Sequence, residues 1–425
     1  MKKTALKNKA SLFLLLAFFS CSQNPDTLNG LDESSSLQLE ADYLNPIGVD
    51  SFLVDKNSGM FYSKIPHLDR DLYDRNTVFV TNKQNVAIGQ IDSLGSFIQH
   101  ITERGNGPGQ IIASRSAKAW QSLDGGIYIL TNANVFMLYV YDQKGSFRYS
   151  LRLFESLPDY FHPKGSSFHI SEKQDGKFYL TIAINTVLAN VFESQYHDKK
   201  TAIAQFEINE FQQKIVSVKT YFPYENLPEV KKSLKSKKVP WYGSDAKFEV
   251  IDDKVYVTFS FSNDVYILNR EFEVEKRITV KSLKELRKEG ISIDLEAKKP
   301  ENLYERTYAQ FTTYLTNLHV THIQVLDNLI ILQFELPLQE NQFLSKFPSR
   351  KQAENLLNYQ GFFQKRDKYW VVYNMNNNNE ELYRLSKDHG RGVFLDKKRM
   401  LVEKSIKDDE DQYLVKYTLE KTIGR

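Results

Sequence analysis

Six stretches of the chain follow one formula: an Asp, Gly or Asn turn, then a short run that alternates aromatic and β-branched residues. They read "DSFLVDKNSGMFYSK", "DGGIYILTNANVFMLYVYDQKGSFRYSLRL", "QDGKFYLTIAINT", "DDKVYVTFSFSNDVYILNREFEVEKRITV", "LDNLIILQFELP" and "RDKYWVVYNMNNN". A tight turn feeding a strand is what this pattern encodes. In the fullest copies a second strand and another turn follow, which makes a three-strand meander. Composition agrees: 28 Phe, 24 Tyr and 3 Trp bring the aromatics to 13%, a content suited to half-buried pleated surfaces. The chain is therefore expected to be all-β.

The copies centre on Met60, Ile127, Phe178, Val255, Leu329 and Tyr369, roughly 40 to 80 residues apart, whereas a four-strand propeller blade takes about 40 to 50. Such meanders cannot each bury both faces alone, and radial stacking solves this while leaving only short edges. The expected fold is a β-propeller over residues 41–425, with six or seven blades of antiparallel meanders. Stacked β-sandwiches are the alternative. The spacing leaves two long gaps. One holds "SLKELRKEGISIDLEAKKPENLYERTYAQFTTYL", residues 282–315, whose early part has helical spacing and reads as a short helical insertion. The other holds "HDKKTAIAQFEINEFQQKIVSVKTYFP", a divergent hairpin. Ring closure would pair the segment after Gln38 with "DQYLVKYTLEK" near the end of the chain.

Residues 1–20 read as a signal peptide, with Lys2, Lys3, Lys7 and Lys9 ahead of an apolar run from Leu12 to Phe19. That run is far short of the roughly 20 residues a spanning helix needs. It leads into "AFFSC", where Cys21 is the only cysteine of the 425 residues. The stretch resembles a bacterial lipobox, with Phe18 where the pattern usually has Leu. The resemblance implies lipid attachment at Cys21 and a membrane partner bound through that lipid. Residues 21–40, polar and carrying Pro25 and Ser34 to Ser36, read as a flexible tether. Ser22 follows the cysteine, which favours the outer membrane of the cell envelope.

Four of the 56 basic residues and none of the 53 acidic ones lie in residues 1–20, so the remainder carries 52 against 53. A near-neutral chain offers no electrostatic case for nucleic acid, whose phosphates call for a clustered basic face.

"RGNGPGQ", residues 104–110, gathers three of the chain's 19 glycines. A phosphate-cradling Walker loop would need Lys and Ser or Thr after its second glycine, and Gln110 and Ile111 follow instead. A dinucleotide fingerprint would place the third glycine one residue later. The wider stretch, from Gly105, Gly107, Pro108, Gly109 and Gln110 through Gly125–Gly126 and Ile127–Ile129 to the hairpin Val140–Phe147, resembles the NHL-type propeller repeat. With the lipobox, it is similar to the six-bladed β-propeller lipoproteins of unknown function from anaerobic gut bacteria. The resemblance implies that Gly105, Gly107, Pro108 and Gly109 form a structural turn between blades. It also makes Ile127–Ile129 an inner strand, with Thr131 where the pattern has Asp.

Residues that could carry chemistry are sparse. His319 and His322, in "NLHVTHIQV", would share one side of a helix but lie on opposite faces of a strand, and no Glu stands between them as a zinc peptidase motif would require. No Gly-x-Ser-x-Gly elbow occurs. "KDDEDQ", residues 407–412, reads as a solvated turn, and "MNNNNEE", residues 375–381, as a hairpin tip. "EVKKSLKSKKVPWYG" sets Trp241 and Tyr242 beside a lysine run that reads as an exposed loop, able to meet an anionic glycan or lipid head group. No cofactor and no metal site is expected. The leading expectation is a non-enzymatic binding or scaffold module for a protein or glycan. An envelope hydrolase or lyase with carboxylates on the propeller axis, and an accessory to nutrient uptake, are the alternatives.

Overall fold

The computed structural model describes residues 42–423, apart from segments that include 54–67, 71–76, 82–87, 154–167, 185–200, 240–245, 297–311, 339–365 and 406–411. Cys21, Met60, Trp241, Tyr242 and all of 407–411 lie outside the described residues. The described chain is built almost wholly of strands.

Two strands come first, β1 (Asp42–Tyr43) and β2 (Pro46–Leu53). A meander of β3 (Leu68–Arg70), β4 (Thr77–Thr81), β5 (Ile88–Asp92) and β6 (Phe97–Thr102) follows, then a second of β7 (Ser116–Gln121), β8 (Ile127–Asn132), β9 (Met137–Tyr141) and β10 (Phe147–Arg152). The third comprises β11 (Phe168–Ile170), β12 (Lys177–Ala183), β13 (Thr201–Asn209) and β14 (Lys214–Pro223). A 3-10 turn at Tyr224–Asn226, helix α1 (Pro228–Ser236) and β15 (Lys238–Val239) lead to a fourth meander. This is β16 (Ala246–Ile251), β17 (Lys254–Phe259), β18 (Asp264–Leu268) and β19 (Val274–Thr279). Helix α2 (Lys281–Leu286) and β20 (Ile293–Asp294) come next, and β20 pairs with β15 as a small ribbon.

The last two sheets borrow strands from the start of the chain. β21 (His319–Leu326), β22 (Leu329–Glu335), β23 (Lys368–Asn374) and β24 (Glu380–Leu385) form a meander to which β1 adds in parallel on β24. β25 (His389–Phe394), β26 (Arg399–Ser405) and β27 (Gln412–Leu419) are completed by β2, which runs antiparallel along β27 with Asp50 opposite Lys416. This is the expected pairing of the chain's two ends, and the architecture is an all-β propeller.

Neighbouring sheets pack face to face. β3 and β4 lie against β7, β11 and β12 against β16, β16 and β17 against β21, and β25 against β3. Side-chain parity explains why the middle strands are so apolar. In β8, Ile127 and Ile129 join the core shared with Ile88 and Ile101 of the preceding sheet, whereas Tyr128 and Leu130 join Phe178, Leu180 and Phe206 of the next. A strand covered on both faces reads as a continuous apolar run. Each large side chain fully buried in this way contributes about 1.5–3 kcal/mol. Outer strands such as β19, exposed except at Ile278, show no such run.

Several sequence expectations need correction on this point. Ile127–Ile129 belongs to the second strand of its sheet, because β7 pairs on the side of β8 away from β9 and closes the order β10-β9-β8-β7. Leu329 and Tyr369 sit opposite each other's strands in one sheet and do not mark separate blades. The "divergent hairpin" is β13–β14, which completes the sheet begun by Phe178. The insertion at 282–315 starts one residue earlier, at Lys281, and contains a strand besides its helix. The lysine run after Glu229 is helix, not loop: Pro228 starts it at the position where a missing N–H costs nothing. At the NHL Asp position, the Thr131 hydroxyl bonds the backbone of Met137 on β9 at 3.3 Å, and Thr258 does the same to Asp264 O at 2.9 Å.

Candidate functional site

The two edges of these sheets are built differently. First-to-second and third-to-fourth strand turns are short: residues 142–146, 210–213, 252–253, 327–328 and 375–379. Asp252 and Asp253, both at positive φ, make one of them a two-residue hairpin turn of the kind that matches strand twist. The long connections 184–200, 224–245, 280–318 and 336–367 start and end at the strand ends of the opposite edge. Loops of this length on a rigid scaffold are where binding residues concentrate.

At that edge, where β21 begins, polar side chains are buried together. Arg366 commits its guanidinium to the chain: Nε donates to Leu336 O (2.8 Å), Nη2 to Asn317 O (3.0 Å) and Glu335 O (3.2 Å), and Nη1 to Tyr314 O (3.3 Å). Its Nη1 also lies 3.4 Å from Glu335 Oε2. Arg287, just past α2, donates to Asn263 Oδ1 (2.8 Å), Leu318 O (2.8 Å) and Ser262 O (3.1 Å). Burial lowers its pKa to about 10, opposed by Glu229. Ser262 donates to Glu229 Oε1 at 2.6 Å, and Asn317 holds Ile291 O and Thr313 O.

His319 lies inside this cluster, stacked on Tyr314 at 4.3 Å between ring centroids. Neither ring nitrogen makes a hydrogen bond of ordinary geometry, and Ser260 Oγ, Glu229 Oε2 and Tyr266 OH are likewise unpartnered. Burial above all, then the positive charges of Arg366 and Arg287, hold its pKa well below the usual imidazole range, while the nearby carbonyls of Tyr314 and Thr313 act in the opposite sense. His319 is therefore neutral at physiological pH. No hydroxyl or carboxylate is bonded to it, so no nucleophile–base pair is assembled there. Arg366 has no donor left for a ligand. The cluster is a clamp that fixes residues 312–318 against β22 and the β17–β18 turn.

The other sequence-selected residues fall elsewhere. His322 is exposed on β21, separated from buried His319 by a bulge after Val320. Among the described residues, no group of three His, Cys, Asp or Glu side chains is arranged to hold a metal ion. Gly105, Gly107, Pro108 and Gly109 lie between β6 and β7, the last strand of one sheet and the first of the next. Their polar groups turn inward: Gly105 N donates to Ile111 O (3.1 Å), Gly107 N to Gln110 Oε1 (2.8 Å), and Thr102 and Tyr141 hydroxyls both reach Gly109 O at 2.6 Å. Amides committed in this way do not form a phosphate cradle. Gly109 has φ +75°, and a Cβ there would come within 2.6 Å of Phe147 Cβ. Arg287 and Arg366 went unnoticed in the sequence, although Arg366 opens the last of the six repeated phrases.

No helix among the described residues is long and apolar enough to cross a membrane. No protein-family model matches the chain, and no curated protein does. Solved structures do. A member of the DUF4221 family from Bacteroides vulgatus superposes with a TM-score of 0.56 at 12% identity, covering 88% of this chain and 97% of that one. A Bacteroides fragilis protein whose name presumes export gives a TM-score of 0.50 at 11% identity, over 90% and 98% of the two chains. Streptogramin B lyase matches at a TM-score of 0.40 and 12% identity, over 87% and 97%. At 12% and 11% identity the likeness to the two Bacteroides proteins is one of fold alone.

Proposed function

We propose that this chain is a six-bladed β-propeller of the cell envelope, held to the outer membrane through lipid on Cys21, that serves as a binding or scaffold module for a protein or glycan. Each sheet of four or five strands counts as one blade. The observation that carries the reading is the inequality of the two edges: the long connections start and end on one, and connections of two to six residues lie on the other. The clamp fixes residues 312–318 at that edge, as a binding surface requires. A role beside a nutrient-uptake system is one form of the same reading. The hydrolase or lyase alternative gains nothing from His319, which is sealed from solvent and bonded to no reacting group.

The test is photo-crosslinking in living cells from single positions on the two edges. Probes replacing Lys235 or Lys284, beside the long connections, are expected to give discrete adducts. Probes replacing Lys144 or Lys276, by the short turns, are expected to give none. Equal labelling from both edges would remove the argument. Cys21→Ala should move the protein from the membrane to the soluble fraction, and its retention would contradict lipid anchoring.

A further inference from the structure

α1 and the residue pair that follows it carry five lysines without an intervening acid: Lys231, Lys232, Lys235, Lys237 and Lys238. All are exposed. The helix buries Val230 and Ser233 against the propeller, with Leu234 beside them, so Lys231, Lys232 and Lys235 fall on the outward side. Lys237 and Lys238 continue the row past the helix end and into β15. The side chains of Lys231, Lys235, Lys237 and Lys238 make no hydrogen bond or ion pair among the described residues.

Two features of this row work against the helix itself. Lys231 and Lys235 are a like-charge pair at i and i+4, which destabilises an isolated helix. Lys237 occupies the left-handed cap at φ 57°, where glycine is the usual residue because it avoids Cβ strain. An anionic ligand would relieve the first and give a use to the cation kept at the second.

We infer that this row binds a linear anionic polysaccharide bearing carboxylate or sulfate groups on successive sugars. The inference rests on the binding-module reading above and names its partner class. Lysine ammonium groups are compact point charges on flexible stems, suited to a polyanion held by electrostatics rather than by bidentate geometry. A bilayer fits less well. Interfacial helices turn an apolar face to lipid, and the apolar face of α1 is already buried in the protein.

The experiment uses the full chain with polygalacturonate as probe, and with anionic phospholipid vesicles and duplex DNA as separate competitors. In Lys231→Gln/Lys235→Gln/Lys237→Gln/Lys238→Gln, affinity for polygalacturonate is expected to fall at least about tenfold, and wild-type binding to weaken steeply with salt. A control with the same loss of charge, Lys144→Gln/Lys214→Gln/Lys219→Gln/Lys276→Gln, is expected to bind within about twofold of wild type. The helix variant should unfold no earlier than wild type, because the like-charge pair is gone; charge reversal at Lys231 and Lys235 should abolish binding in a protein that stays folded. Equal loss in both quadruple variants, no binding by wild type, or tighter capture of vesicles or DNA than of polygalacturonate would overturn the inference. If polygalacturonate fails while edge-specific crosslinks persist, the binding edge stands and the polysaccharide assignment falls.

Discussion

Two crossovers carry the chain from the last strand of one sheet to the first of the next, and they use opposite materials. Between β6 and β7, residues 103–115 turn on small residues: Gly109 takes the left-handed conformation, and the Gln110 side chain caps Gly107 N. Between β19 and β21, residues 280–318 use cations, with half-buried Arg287 and buried Arg366 holding carbonyls of Leu318, Ser262, Asn317 and Tyr314. Both supply partners to backbone groups of a chain passing from one sheet to the next. The short one does so locally. The long one recruits donors from distant parts of the chain, which frees its remaining residues to vary at the edge proposed for binding.

Removal of the clamp should separate the two most strongly. Arg366→Met takes the guanidinium donor from four carbonyls and leaves Glu335 without its ion-pair partner, and is expected to cost about 3–5 kcal/mol in urea unfolding. A loss below about 1 kcal/mol would show that water replaces it and that the clamp is no clamp. Gly109→Ala should cost less, about 1–3 kcal/mol, from positive φ and the approach to Phe147. Gly107→Ala is its control: φ is not positive, the obstacle is the mobile end of Gln110, and the expected cost is under about 1 kcal/mol.

Acid should also distinguish the crossovers. His319 in the folded chain resists protonation, whereas the unfolded chain takes the proton near pH 6.5. Stability from this site is complete above pH 6.5 and falls as pH drops, by up to about 1.4 kcal/mol per unit. His169, lowered to about 4 by burial against the opposing charge of Asp253, adds the same trend down to that value. His319→Phe should flatten the slope between pH 6.5 and 5 by one site's worth. An unchanged slope would mean that His319 is not the buried titrating group.

Some of this was legible in the sequence because the cause is local. Middle strands such as β8 and β17 are covered on both faces, so their apolar runs stand out, and Gly109 announces a turn by itself. The innermost strands were missed because they are short and mixed, as in "SAKAWQ" and "FHI". The strongest runs were then read as innermost. Counting Leu329 and Tyr369 as two units failed for a related reason: a long connection, 336–367, separates strands that pair directly. The clamp left no trace, since Arg366 lies 49 residues from Asn317 and no spacing rule links them.

Closure of the ring by β2 on β27 is the most direct test of the whole account. In a Cys21→Ser background, Asp50→Cys with Lys416→Cys places two thiols at opposed Cα positions, within disulfide reach across an antiparallel pair. The predicted result is a disulfide that forms readily in the folded protein and raises its thermal transition, while Asp50→Cys with Leu414→Cys stays reduced. Reduced thiols in the first variant, or efficient bridging in the second, would contradict the closure.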